Sequence, residues 1–260
     1  MVLFLCLIGW ALWYAIRKAE RKEDLYIRKI PGVDAVDEAV GRATEWGRPV
    51  SFTTALTSLS PVLYACLGVL FHIARRCARS RTSLVLPQSM PEVLAVTEDV
   101  MREAYRKEAR LSQFNPDALR YLSDEQFAFA SGYIGILHRE NVGAAFLFGR
   151  FAGEALVLAE AGQQIGAMQV AACISPEQVP FFISTCDYTL IGEELFAASA
   201  YLTREPVQLG SLVAQDYAKF GVVLLVVIGV VISTWNSAFP HTPISNVDTL
   251  ITLPWSTLTW

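Results

Sequence analysis

Two stretches of this 260-residue chain combine residue types that could do chemistry. The first, FTTALTSLS, places Thr53, Thr54, Thr57, Ser58 and Ser60 between a short strand and a helix that starts at Pro61. Hydroxyls beside the free N–H groups of a helix start make an anion site, and open parallel sheets take ligands at the carboxyl ends of their strands. The same hydroxyls can instead cap the helix and satisfy the turn. The second stretch, CDYTLIGEEL, groups Asp187, Glu193 and Glu194 at what reads as another strand end, with Glu154 and Glu160 on a helix two elements earlier. Paired carboxylates can exchange protons or hold a divalent metal, while acids at a helix start also complement its dipole. The ligand-binding candidates are therefore Thr53, Thr54, Thr57, Ser58, Asp187, Glu193 and Glu194.

Other reactive residues carry less. The five cysteines, Cys6, Cys66, Cys77, Cys173 and Cys186, contain no C-x-x-C and read as small buried hydrophobes. His72 falls in an apolar helix and reads as a satisfied core residue. A dyad of Cys186 and His138 oriented by Asp187 is conceivable, since the ends of their elements could meet, yet nothing local marks a nucleophile. Phosphate-binding Gly-rich motifs, G-x-S-x-G and H-E-x-x-H do not occur. Gly149 and Gly153 form a G-x-x-x-G, but the adjoining Arg150 and Glu154 exclude a membrane dimerisation face. No catalytic residue, metal site or cofactor is assigned.

The elements that must position these residues alternate. Asp34 can cap a helix to Trp46 with Gly47 just beyond its end. Strands are expected at 49–54, 82–86, 143–148, 167–173 and 181–186. Helices are expected from Pro61, from Ser89/Pro91, from Ser123/Asp124 to His138, over Glu154–Ala161, and from a Thr189 cap through LIGEELFAASAYL. Apolar strands without polar alternation, separated by helices, imply a parallel sheet covered on both faces. The expected fold is α/β, a Rossmann-like three-layer domain of about five mostly parallel strands, flanked by an N-terminal and a C-terminal transmembrane helix.

Composition explains the flanks. The chain is 53% hydrophobic and 18% charged, with a net charge of −4, and only Asp248 among its charged residues lies outside 17–219. The charged segment is slightly acidic, which removes the electrostatic footprint of a nucleic-acid binder. Val2–Ile16 and Phe220–Trp235 carry no charge and are each somewhat shorter than a ~30 Å bilayer core, so they span with help from snorkelling flanks. The first lacks a basic n-region and an A-x-A site, and reads as an uncleaved anchor. Basic residues follow the first span and precede the second, so the positive-inside rule places the domain in the cytoplasm and both termini on the outer side. Trp10, Trp13 and Trp235 would anchor at the interfaces. Pro61–Ala74 is apolar but only 14 residues long, which favours a buried core helix. The expected organisation is an anchor at 1–17, a juxtamembrane helix at 18–33, the α/β domain at 34–206, a linker at 207–219, a span at 220–236 and an outer tail at 237–260. That tail, with Trp255 and Trp260, is too small to bury a core without a neighbour.

Three segments, EAVGRATEWGRPVSFTT (38–54), GEALVLAEAGQQIGAMQVAA (153–172) and PFFISTCDYTLIGEELFAASAYL (180–202), resemble a family of uncharacterised bacterial membrane-associated proteins, a domain of unknown function. The resemblance implies a protein of the bacterial inner (cytoplasmic) membrane and brings no activity, cofactor or catalytic residue. The expected role is a membrane-anchored scaffold or accessory subunit whose partners are the lipid bilayer and either further copies of itself, as a homo-oligomer, or other membrane-protein subunits. The alternative is an α/β enzyme or ligand sensor with an anion- or nucleotide-type site at the strand carboxyl ends. Two anchors without an intramembrane charge offer no transport pathway.

Overall fold

Val50–Ala55 (β1) is buried along its whole length, and what surrounds it sets the architecture. In a computed structural model that describes residues 31–203 and 206–238, together with Gly9 and Arg17, the chain divides into two compact units. One comprises residues 27–204, the other residues 1–26 with 205–260.

The first unit is built on a six-stranded parallel sheet. Its strands are β1, Leu84–Gln88 (β2), Leu119–Tyr121 (β3), Ala144–Arg150 (β4), Met168–Cys173 (β5) and Tyr188–Ile191 (β6), in the order β3-β2-β1-β4-β5-β6. This is the doubly wound Rossmann order, in which the direction of strand addition reverses between β1 and β4. Helices Pro31–Glu45 (α1), Pro61–Ser80 (α2) and Pro91–Lys107 (α3) cover one face. Helices Gln126–Glu140 (α4), Ala155–Gln164 (α5) and Val179–Thr185 (α6) cover the other. Glu194–Thr203 (α7) returns to the first face and packs on α2.

Period-2 alternation divides the strand residues between two cores. Phe52, Phe146, Phe148 and Val170 point to the first face, while Ala145, Leu147 and Ala171 point to the second. Phe52 and Phe148 stack with ring centroids 5.5 Å apart. Because both faces are dry along β1, β2, β4 and β5, those strands carry apolar residues on both sides, and this is why these four could be located from sequence. Pro61–Ser80 is a core helix with 61% of its apolar window buried. Its Gly68 admits α7, since a Cβ there would lie 2.2 Å from Ser199 Oγ.

The sheet has six strands where about five were expected, and two segments exchange identity. Residues 181–186 were expected as a strand, but Val179–Thr185 is helical with Pro180 in its first turn. Val179 and Phe182, three residues apart, are its buried side chains, and the hydroxyls of Ser184 and Thr185 both donate to the Phe181 carbonyl. The YTLI segment, expected to open a helix, is instead the edge strand β6, ended by Gly192 at φ +56°. The three-residue β3 had no signal, being too short for periodicity to register.

In the second unit, Pro206–Ala238 (α8) is a single helix of 33 residues, about 50 Å long at 1.5 Å per residue. It runs unbroken through both 207–219 and the uncharged 220–236, and none of its most apolar window is buried. By length and composition it can cross a membrane. Trp235 is 46% exposed on this helix, whereas Trp10, Trp13, Trp255 and Trp260 lie outside the described residues.

Candidate functional site

The carboxyl ends of β1 and β4 flank the reversal point, where doubly wound sheets bind ligands. Here the protein's own groups meet across it. Thr53, Thr54 and Thr57 are all buried, and each hydroxyl is committed. Thr53 Oγ1 accepts the N–H of Ala55 at 3.0 Å, holding Ala55 at φ +45°. Thr54 Oγ1 donates to Gln88 Oε1 at 2.6 Å, linking β1 to β2. Thr57 Oγ1 accepts the N–H of Arg150 at 2.8 Å, linking the loop after β1 to the end of β4. Ser89 Oγ donates to the Ala55 carbonyl.

Close approach seals the same crevice. Gly149 sits at φ +130°, and a Cβ on it would lie 2.2 Å from Thr57 Oγ1 and 2.9 Å from the Thr54 carbonyl. Only glycine allows the two backbones so near each other. Ser58 is exposed, and its carbonyl accepts the Ser60 hydroxyl at 3.1 Å. Ser60 occupies the N-cap of α2 without a side-chain capping bond. Of this group, only Gln88 Nε2 is buried with no partner.

The three carboxylates of the second stretch do not come together. Asp187 precedes β6 and lies at the amino end of the sheet, where Oδ2 accepts the Gln169 N–H at 2.7 Å. Glu193 and Glu194 follow β6 at the carboxyl end, and Glu194 Oε2 accepts the N–H of Ile191 at 3.1 Å. The four residues of β6 put about 13 Å between the two ends. The helix–strand exchange at 179–191 is the physical cause. Glu160 is exposed on α5, while Glu154 is fully buried at the carboxyl end of β4. Its carboxylate accepts the Ala152 N–H at 3.1 Å and Gln126 Nε2 at 2.6 Å, which fixes the turn into α5. Gln126 was not among the candidates; no spacing in the sequence ties it to Glu154, 28 residues away.

Cysteine chemistry is suppressed. Burial pushes the Cys186 thiol up to about 12, so it is a neutral thiol near pH 7. Among the described residues no hydrogen bond joins it to His138. Burial likewise raises Cys77 to about 12 and Cys66 further. His72 is partly exposed and satisfied by Asp37 at 3.1 Å, which also pairs with Arg76 at 3.2 Å. Among the described residues, no group of three or more His, Cys, Asp and Glu side chains could hold a metal.

Open space lies at the opposite, amino end of the sheet. A cavity of about 330 Å³ there is lined by Arg81, Thr82, Tyr105, Gln113, Asn115 and the Arg120–Glu140 ion pair, with further contributions from β2. No sequence motif marks it, because its residues come from α2, β2, α3, β3 and α4 and the loops between them. The αL position of Arg81, directly after a helix that already ends in Arg79, is the one local irregularity among them.

No curated protein matches the chain. Residues 1–244 match the family model described as domain of unknown function DUF6754, which spans the α/β domain and α8. The chain therefore belongs to the DUF6754 family.

Proposed function

We propose that the protein is a membrane-anchored scaffold or accessory subunit of a larger membrane assembly. The observation that carries this reading is the self-satisfied crevice between β1 and β4: Thr53, Thr54 and Thr57 spend their hydroxyls on the fold, and Gly149 closes the gap. A doubly wound domain that fills its usual ligand position with its own side chains acts through its surfaces. The long unburied apolar face of α8 supports the same role, because it must be covered by lipid, by other helices or by both.

In this reading α8 spans the bacterial inner membrane, the α/β domain faces the cytoplasm and both termini lie outside. The tail with Trp255 and Trp260 engages a neighbouring subunit, and Trp235 anchors at the outer interface. The experiment is cysteine cross-linking in native membranes from Val226→Cys, Val230→Cys and Val231→Cys, positions exposed along α8. A discrete adduct from one helix face, identified by mass, is expected; absence of adducts at every position overturns the reading.

A second reading, a ligand sensor at the strand carboxyl ends, is favoured by Gln88 Nε2 alone. A thermal-shift screen with nucleotides and phosphorylated metabolites tests it, and a Gln88→Leu variant must abolish any response.

A further inference from the structure

The cavity at the amino end of the sheet exists because β3 is short. Its pairing with β2 begins only at Leu86–Leu119, so the stretch of β2 at Leu84 and Val85, paired with β1 on one side, has no strand on the other. Met101 and Tyr105 of α3, the segment 113–118 and the Arg120–Glu140 pair wall the space that a longer strand would fill.

Arg81 stands at its rim in a costly conformation. It follows the last turn of α2 at φ +60°, ψ +31°, where glycine or asparagine is favoured. A helix-end cation does not require this backbone, since Arg79 already sits in the last turn. The other arginines of this helix end are ion-paired: Arg75 and Arg79 share Glu108, and Arg76 pairs with Asp37. Among the described residues Arg81 makes no ion pair. The αL cap, whose N–H donates to the Cys77 carbonyl, sets Arg81 beside the cavity.

The charges of the lining define what fits. Arg120 and Glu140 cancel, leaving the one positive charge of Arg81. A phosphate monoester would bring about −1.5 to −2 charges, more than the lining can match. Asn115 Oδ1 is committed to the N–H of Asp117 at 3.0 Å, which leaves the amide NH2 to donate. Gln113 adds a second amide, and burial keeps the Tyr105 phenol protonated as a donor. We infer that this cavity binds a small polar monocarboxylate, with its carboxylate on the Arg81 guanidinium and its hydroxyl or amide groups on Asn115, Gln113 and Tyr105. The volume lies at the small end of ligand pockets and suits a metabolite, not a polymer.

The site is independent of the assembly reading and is tested on the full-length protein in detergent. Thermal shift and calorimetry are run with lactate, glycerate and N-acetylglycine, against glycerol phosphate and inorganic phosphate. At least one monocarboxylate is expected to bind saturably and more weakly as salt rises, with the phosphates giving no response. Arg81→Gly is expected to weaken binding at least tenfold while raising Tm by roughly 2–4 °C, because glycine relieves the positive φ. Arg81→Asn serves as the second variant, and Arg139→Ala, outside the lining, is expected to bind as the parent does. No monocarboxylate binding, a response confined to phosphates, or unchanged affinity in both Arg81 variants overturns the inference.

Discussion

Thr57 Oγ1 accepts the backbone N–H of Arg150 across 93 residues of chain, at 2.8 Å. That bond joins the loop after β1 to the end of β4, where the strand order reverses and many doubly wound proteins leave room for a ligand. Thr57→Val keeps the shape and strands the Arg150 N–H without a partner. A loss of about 1–3 kcal/mol is expected in chemical denaturation of the detergent-solubilised protein. Gly149→Ala is expected to cost more, since it adds both a clash and a strained φ.

The seam between α2 and α7 supplies a double-mutant test. A Cβ at Gly68 would lie 2.2 Å from Ser199 Oγ and 3.1 Å from Thr203 Cγ2. Gly68→Ala is expected to destabilise by roughly 1–3 kcal/mol through overpacking. Ser199→Ala in that background removes the nearest atom and is expected to recover part of the loss, giving a coupling of at least about 0.5 kcal/mol in thermal denaturation.

Acid stability should depend on Glu108. Hydrogen bonds from Arg79 and then Arg75 hold its carboxyl near pKa 2 against the opposing effect of burial, below the ordinary 4.5. A lowered folded-state pKa means the contribution is complete above pH 4.5 and is lost as the pH falls from there toward 2. Glu108→Gln should flatten the stability profile across that window. Equal slopes in parent and variant would remove Glu108 as the cause.

The buried thiols should be inert in the folded protein. With Cys77 and Cys186 both pushed up to about 12, alkylation by iodoacetamide at pH 8 is expected to be slow and to accelerate sharply on unfolding. Fast modification of Cys186 in the native state, traced by peptide mass, would revive a nucleophilic role for it.

The strands with two dry faces were legible in the sequence because continuous apolar runs such as GAAFLF have few other uses. The start of α2 was also legible, from Ser60-Pro61. Residues 179–191 were not: FFIST is as apolar as a strand, and its helical spacing shows only in the burial of Val179 and Phe182. That one exchange carried Asp187 to the opposite end of β6 from Glu193 and Glu194. Thr53 and Thr54 lie at the end of β1 and Thr57 follows it, but their partners Gln88 and Arg150 lie 34 and 93 residues away, beyond the reach of local pattern. In the sequence Arg81 is one of four closely spaced arginines with Arg75, Arg76 and Arg79, and its αL backbone and lack of an ion pair among the described residues appear only in the structure.

The most direct measurement is the native mass of the full-length protein extracted gently from its own membranes. A scaffold or accessory subunit predicts a defined assembly, either a homo-oligomer of fixed size or a stoichiometric complex with other membrane proteins. A monodisperse monomer bound only to lipid would contradict it.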